Sequence, residues 1–92
     1  MSGAKTVLVK AALGGEGFPV ARSQAKRLLS GHESCDGLEL DFSGISEIGQ
    51  GFADEAFRVW RNAHPAVDLR VVDAGDGVER MLRYVGFRRA SN

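Results

Sequence analysis

Residues 38–60, LELDFSGISEIGQGFADEAFRVW, change their hydrophobic period once, and that change limits what the chain can fold into. Leu38, Leu40 and Phe42 alternate with Glu39 and Asp41, the pattern of a strand with one buried face. Ser43 and Gly44 break the run, and Ile45 and Ile48 are apolar pegs inside the connection. Gly49 and Gly51 let the backbone turn tightly. From Phe52 the period becomes helical: Phe52, Ala56, Phe57 and Trp60 share a face, and Asp54 and Glu55 lie in the first turn, where carboxylates suit the helix dipole.

The flanking segments repeat the alternation of strand and helix. Thr6 to Ala12 is β-branched and apolar, a strand pattern. Leu13 to Gly17 reads as a hairpin turn, and Phe18 to Val20 as a short return strand that Pro19 confines to an edge. Ala21, Ala25, Leu28 and Leu29 mark a helix over Arg22 to Ser30, ended by Gly31. The helix opened by Phe52 stops before Pro65. Val67, Leu69 and Val71 form the next strand pattern. Asp76 reads as an N-cap paired with Glu79, followed by the stripe Val78, Met81, Leu82 and Val85. Gly86 ends that helix and Phe87 can fold back on it; Arg88 to Asn92 is a polar tail. The expectation is an α/β single domain over 1–92, with a core of about 6–87. Its sheet is mostly parallel, with three helices and an N-terminal hairpin-like strand pair. Three helices can cover one sheet face and leave the other partly bare, which makes a candidate partner surface.

Composition narrows the function classes. The chain has 92 residues and a formal net charge of zero, so it lacks the basic excess of a general nucleic-acid binder. It has no polybasic segment for an anionic membrane and no apolar run of bilayer length. A signal-peptide pattern is missing, and the single cysteine, Cys35, fits a reducing cytoplasm, so a cytoplasmic location is expected. Cys35 has no evident base beside it in the sequence. His32 and His64 fall in loops without metal-ligand or triad spacing, so neither metal nor cofactor is expected.

Two groups of polar residues remain. Asp41, Ser43 and Asp73 lie near strand carboxyl ends, where open parallel sheets bind ligands, and Gly49 and Gly51 precede a helix whose N–H groups could face an anion. Local backbone bonding in the turns explains the first three as well, and Asp54 and Glu55 put negative charge where a phosphate would sit. Asp54 and Arg58 are four apart and Glu55 and Arg58 three apart, as in ordinary helix-surface pairs. Arg80 and Arg83 flank the last apolar stripe and read as a solvated face.

The stretch LDFSGISEIGQGFADEAFRVW, with ARSQAKRLL upstream and HP before a strand downstream, resembles the STAS-like domains of unknown function. Those domains are distant relatives of the STAS domains of bacterial anti-sigma-factor antagonists. The resemblance implies a STAS-like α/β fold and a non-catalytic regulatory module of bacterial signalling. It implies a protein partner, a histidine-kinase-like ATPase or similar, and a contact surface of Ser46, Glu47, Gln50, Asp54, Glu55 and Arg58. In the antagonists a serine in the turn entering this helix is phosphorylated; Gln50 stands at that position here, between Gly49 and Gly51. The alternative expectation is a sensor of a nucleotide or metabolite, bound over the strand ends near Asp41, Ser43, Gly49, Gly51 and Asp73.

Overall fold

The strand foreseen at Leu38 lies in the middle of the sheet. The computed structural model describes residues 4–15 and 18–87. Within them β1 (Ala4–Leu8), β2 (Gly37–Asp41) and β3 (Asp68–Val72) form a parallel sheet in the order β1-β2-β3. Val7, Leu40 and Val71 stand side by side, as do Leu8, Asp41 and Val72 at the carboxyl ends. The helices are α1 (Val9–Ala12), α2 (Arg22–Leu29), α3 (Gln50–Asp54), α4 (Arg61–Ala63) and α5 (Asp76–Tyr84). A π-helical turn (Glu55–Trp60) joins α3 to α4 without a break.

The strand order never reverses, so right-handed crossovers put α2 and the α3–α4 helix on the same side of the sheet. There α2 packs on α3 and the π turn, and α3 packs on α5. Leu38, Leu40, Leu69 and Val71 are buried beneath these helices. The opposite face carries Thr6, Glu39 and Arg70 in one row. Thr6 Oγ1 donates to Glu39 Oε1 at 3.0 Å, and Arg70 pairs with Asp68 at 2.8 Å. Among the described residues this face has no helix over it.

The aromatic residues expected in the core are there. Phe42, Phe52, Phe57 and Trp60 are buried with Leu28, Leu40 and Leu82 in one cluster. Phe57 lies between Phe42 and Phe87, with ring centroids 6.3 and 4.7 Å away. Phe87 reaches it because α5 ends in a Schellman turn. Gly86 takes φ 83°, its N–H donates to Arg83 O, and the Phe87 N–H donates to Leu82 O at 2.9 Å.

Several local expectations change. The first strand starts earlier and ends at Leu8; Val9 to Ala12 form a helical turn that buries Val9. Lys10, Ala11 and Ala12 are good helix formers, which explains the early switch. No hairpin forms. Gly14 and Gly15 do turn with positive φ, while Glu16 and Gly17 lie outside the described residues. Phe18 to Val20 is not a strand, and its carbonyls bond to the start of α3 instead of a neighbouring strand. Gly75, not Asp76, is the N-cap of α5, so the expected Asp76–Glu79 capping box does not form. The polar tail from Arg88 onward lies outside the described residues.

Phe57→Ala should cost about 3–5 kcal/mol, as large-to-small changes at fully enclosed aromatic positions do. Urea denaturation reads this as a lower midpoint with an unchanged slope; an unchanged midpoint would mean that the helix face is not the one described.

Candidate functional site

The loop from β2 to α3 is held from two sides by backbone. On one side the Pro19–Val20 segment lies across the start of α3. The Gly49 N–H donates to Pro19 O at 2.7 Å and the Phe52 N–H to Val20 O at 3.1 Å. A Cβ on Gly49 would lie 2.8 Å from Val20 Cα, and one on Gly51 would lie 3.3 Å from Val20 O. Gly49 itself has an ordinary φ of −84°. Its glycine is therefore required by close approach and not, as the sequence suggested, by the turn. Gln24 fixes the segment in turn, its Oε1 accepting the N–H groups of Val20 and Ala21 at 2.8 Å each. On the other side α5 approaches the loop at Gly77, where a Cβ would fall 2.3 Å from Ser46 O.

Between these contacts the backbone is pinned while side chains stay free. Ile45 and Ile48 point into the core, and Ser46, Glu47 and Gln50 are exposed. Phe18 and Val20 add two exposed apolar side chains, 48% and 49% accessible, on the segment that bonds to the start of α3. Sequence reasoning missed both, because Pro19 between two apolar residues resembles an edge strand.

Asp54, Glu55 and Arg58 do not form a free charged surface. Arg58 forks onto Asp54, with Nη2 2.9 Å from Oδ2, and Arg22 of α2 also reaches Asp54 at 2.7 Å. Glu55 is only 9% exposed and faces Arg22 at 3.4 Å rather than Arg58. The expected outward position of Glu55 is thus corrected: α2 packs over the π turn and covers it. No local pattern ties Arg22 to residues more than thirty positions away, so the cross-helix pair was not readable. Asp54 is held at about 2, below the ordinary 3.8, first by the Arg58 hydrogen bonds and then by that of Arg22.

At the carboxyl ends of the strands, the structure does bring Asp41, Ser43 and Asp73 together. The Ser43 N–H donates to Asp41 Oδ1 at 2.8 Å, and the Ser43 hydroxyl donates to the same oxygen. Ser43 Oγ also lies 3.2 Å from Asp73 Oδ2. The Ser43 hydroxyl and then its backbone N–H hold the Asp41 carboxyl below its usual range. Asp73 takes φ 55°, a conformation that aspartate tolerates better than most residues. A Cβ on Gly44 would come within 3.5 Å of Lys10 Nζ, so a lysine from α1 stands over this turn. These contacts build the turns themselves. At the start of α3 the N–H groups of Gly49 and Phe52 are already engaged, by Pro19 and Val20.

The remaining titratable residues are dispersed. His32 Nδ1 lies 4.0 Å from the buried Cys35 Sγ, a neighbour that the sequence did not suggest. His64 stacks on Trp60 at 4.4 Å, with its Nδ1 3.0 Å from Trp60 O. Among the described residues no group of three or more His, Cys, Asp or Glu is placed to hold a metal ion. No helix among them is long and apolar enough to cross a membrane.

The charge cluster makes a pH-dependent contribution to stability. The folded pKa of Asp54 is depressed, so its pairing stabilises fully above 3.8 and is lost as pH falls toward 2. Asp54→Asn should lower the urea midpoint at neutral pH, and the two proteins should converge as pH drops through that window. A gap that stays constant down to pH 2 would mean that the carboxylate charge is not its source.

The comparisons with known proteins agree with the geometry at the level of the family. Neither the search of curated proteins nor that of solved structures found a significant match. The family model for the STAS-like domain of unknown function matches residues 24–79, which include all but the first two residues of α2, the whole β2–α3 unit, β3 and the first turn of α5. With that model covering well over half of the sequence, the chain belongs to the family of STAS-like domains of unknown function.

Proposed function

We propose that the protein is a non-catalytic regulatory module of cytoplasmic signalling that docks another protein through the Ser46 to Arg58 surface. A histidine-kinase-like ATPase or a similar signalling protein is the partner that fits the family. The observation that carries this reading is the double backbone clamp on the β2–α3 loop, at Gly49 and at Gly77. A loop fixed before binding loses little conformational entropy when a partner arrives, which favours docking on a small domain. Ser46, Glu47 and Gln50 are its exposed polar contacts, and Phe18 and Val20 are the exposed apolar ones on the segment that bonds to the start of α3. Asp54 and Arg58 form a paired rim, and Glu55 acts through Arg22.

Gln50 is the first residue of α3, at the position where the antagonists carry their phosphorylated serine, and neither Gly49 nor Gly51 offers a hydroxyl. The surface therefore serves as a contact without that covalent switch. A small-ligand sensor over the strand ends has less support, because Asp41 and Ser43 bond each other in the turn and the start of α3 already meets Pro19 and Val20.

Calorimetric titration against a purified histidine-kinase-like ATPase from the same genome tests the reading. Gln50→Arg should weaken binding by about tenfold or more if Gln50 is a central contact. Its melting temperature should stay near that of the wild type, since Gln50 is exposed. Glu39→Arg, on the opposite sheet face, should bind normally. Equal affinities for wild type and Gln50→Arg would remove this surface from the contact.

A further inference from the structure

Among the described residues β1 has a strand on one side only. Alternate residues of a strand turn their N–H and C=O groups to its two sides, and in β1 those turned away from β2 have no ladder partner. The helix layer also stops short of this edge. Val7 is half-buried, whereas Leu40 and Val71, beside it in the same row, are buried. Lys5 is exposed in the row of the buried Leu38 and Leu69, and Leu8 is 55% accessible. What the edge leaves open is strand backbone, and another extended backbone is what matches its spacing.

The sequence of β1 suits a second copy of itself. A two-fold axis perpendicular to the sheet brings two β1 strands together antiparallel and keeps both helix layers on one side. Each side chain then meets one from its own face, which puts a single residue on the axis. With Thr6 there, the whole strand pairs: Thr6 with Thr6, Lys5 with Val7, and Ala4 with Leu8. With Lys5 on the axis, two ammonium groups oppose each other. With Val7 there, the overlap shrinks, because Val9 already begins α1. The other edge of the sheet lacks this self-complementarity. The same operation on β3 puts Arg70 on the axis against its own copy, so like charges meet where β1 has two threonines.

We propose that β1 pairs antiparallel with β1 of a second copy of this chain, with Thr6 on the two-fold axis, and that the homodimer carries one continuous sheet. The aliphatic stem of Lys5 from one copy covers Val7 of the other on the helix side, and Leu8 lies against Ala4 on the open face. The two-fold contact uses both β1 edges and so closes on itself, while Arg70 guards the β3 edges that remain. A pair of five-residue strands is a small interface, so the dimer exchanges with monomer. No residue of the Ser46 to Arg58 surface enters the contact, and the inference does not rest on the docking reading.

Sedimentation velocity of the full chain tests the pairing, over about 5 to 500 µM to cover the weak association of a small interface. The wild type should pass from monomer to dimer as concentration rises. Thr6→Lys and Thr6→Glu should each weaken dimerisation by about tenfold or more, through like charges at the axis. An equimolar mixture of the two variants should recover the dimer, because each then meets the opposite charge. Thr6 is exposed, and retained melting temperatures in dilute solution confirm that both variants are folded. Arg70→Lys, at the other edge, should dimerise as the wild type does. In dimers assembled from isotope-labelled and unlabelled wild-type chains, intermolecular NOEs should join Lys5 to Val7 and Ala4 to Leu8; if a variant fails to fold, these decide alone. A chain that stays monomeric throughout, a dimer insensitive to charge at Thr6, a mixture that recovers nothing, NOEs at other residues, or growth beyond the dimer would each overturn the proposal.

Discussion

Two hydrogen bonds from the start of α3 to the carbonyls of Pro19 and Val20 set the position of everything around the loop. They decide where the helix after β2 begins, and thereby which of its faces meets the sheet. They also engage donors that a helix start would otherwise leave without partners. The contact is possible only because Gly49 has no side chain: a Cβ there would overlap Val20 backbone, which cannot move aside as a flexible side chain can. Gly77 imposes the same condition from the other side of the loop, against Ser46 O. The Ser46–Gln50 backbone is therefore held by parts of the chain that come before and after it in sequence.

The core and the loop depend on each other. Ile45 and Ile48 anchor the loop from below, and Phe52 and Phe57 carry α3 and the π turn onto β2. Phe87 closes the same aromatic cluster from beyond α5, so the placement of α5 against the loop is tied to the burial of Phe57. Arg22 adds a polar link from α2 to Asp54 at the end of α3 and to Glu55 at the start of the π turn. A domain of this size needs such economy, since a short chain buries a smaller fraction of its surface than a large one.

Those features that rest on periodicity were legible from the residues. The alternation Leu38, Leu40, Phe42 and the helical stripe Phe52, Ala56, Phe57, Trp60 specify the middle of the fold, and Gly86 followed by Phe87 specifies the end of α5. What could not be read depends on contacts between distant segments. Phe18-Pro19-Val20 has the composition of an edge strand, and only the presence of α3 turns it into a strap. Glu55 looks like an outward helix residue until α2 is placed over it. Gly77 looks like an ordinary residue in the first turn of a helix until Ser46 O is found against it. The site residues divide in the same way: Asp41 and Ser43 follow a local turn rule, while the partners of Asp54 and Glu55 come from α2.

Amide hydrogen exchange measured by NMR at Gly49 and Phe52 tests the clamp most directly. If the Pro19–Val20 strap is seated on α3 as described, both amides exchange only with the opening of the core, at rates close to that of Leu40 in β2. Exchange of Gly49 and Phe52 at the rate of an exposed loop amide, with Leu40 still protected, would contradict it.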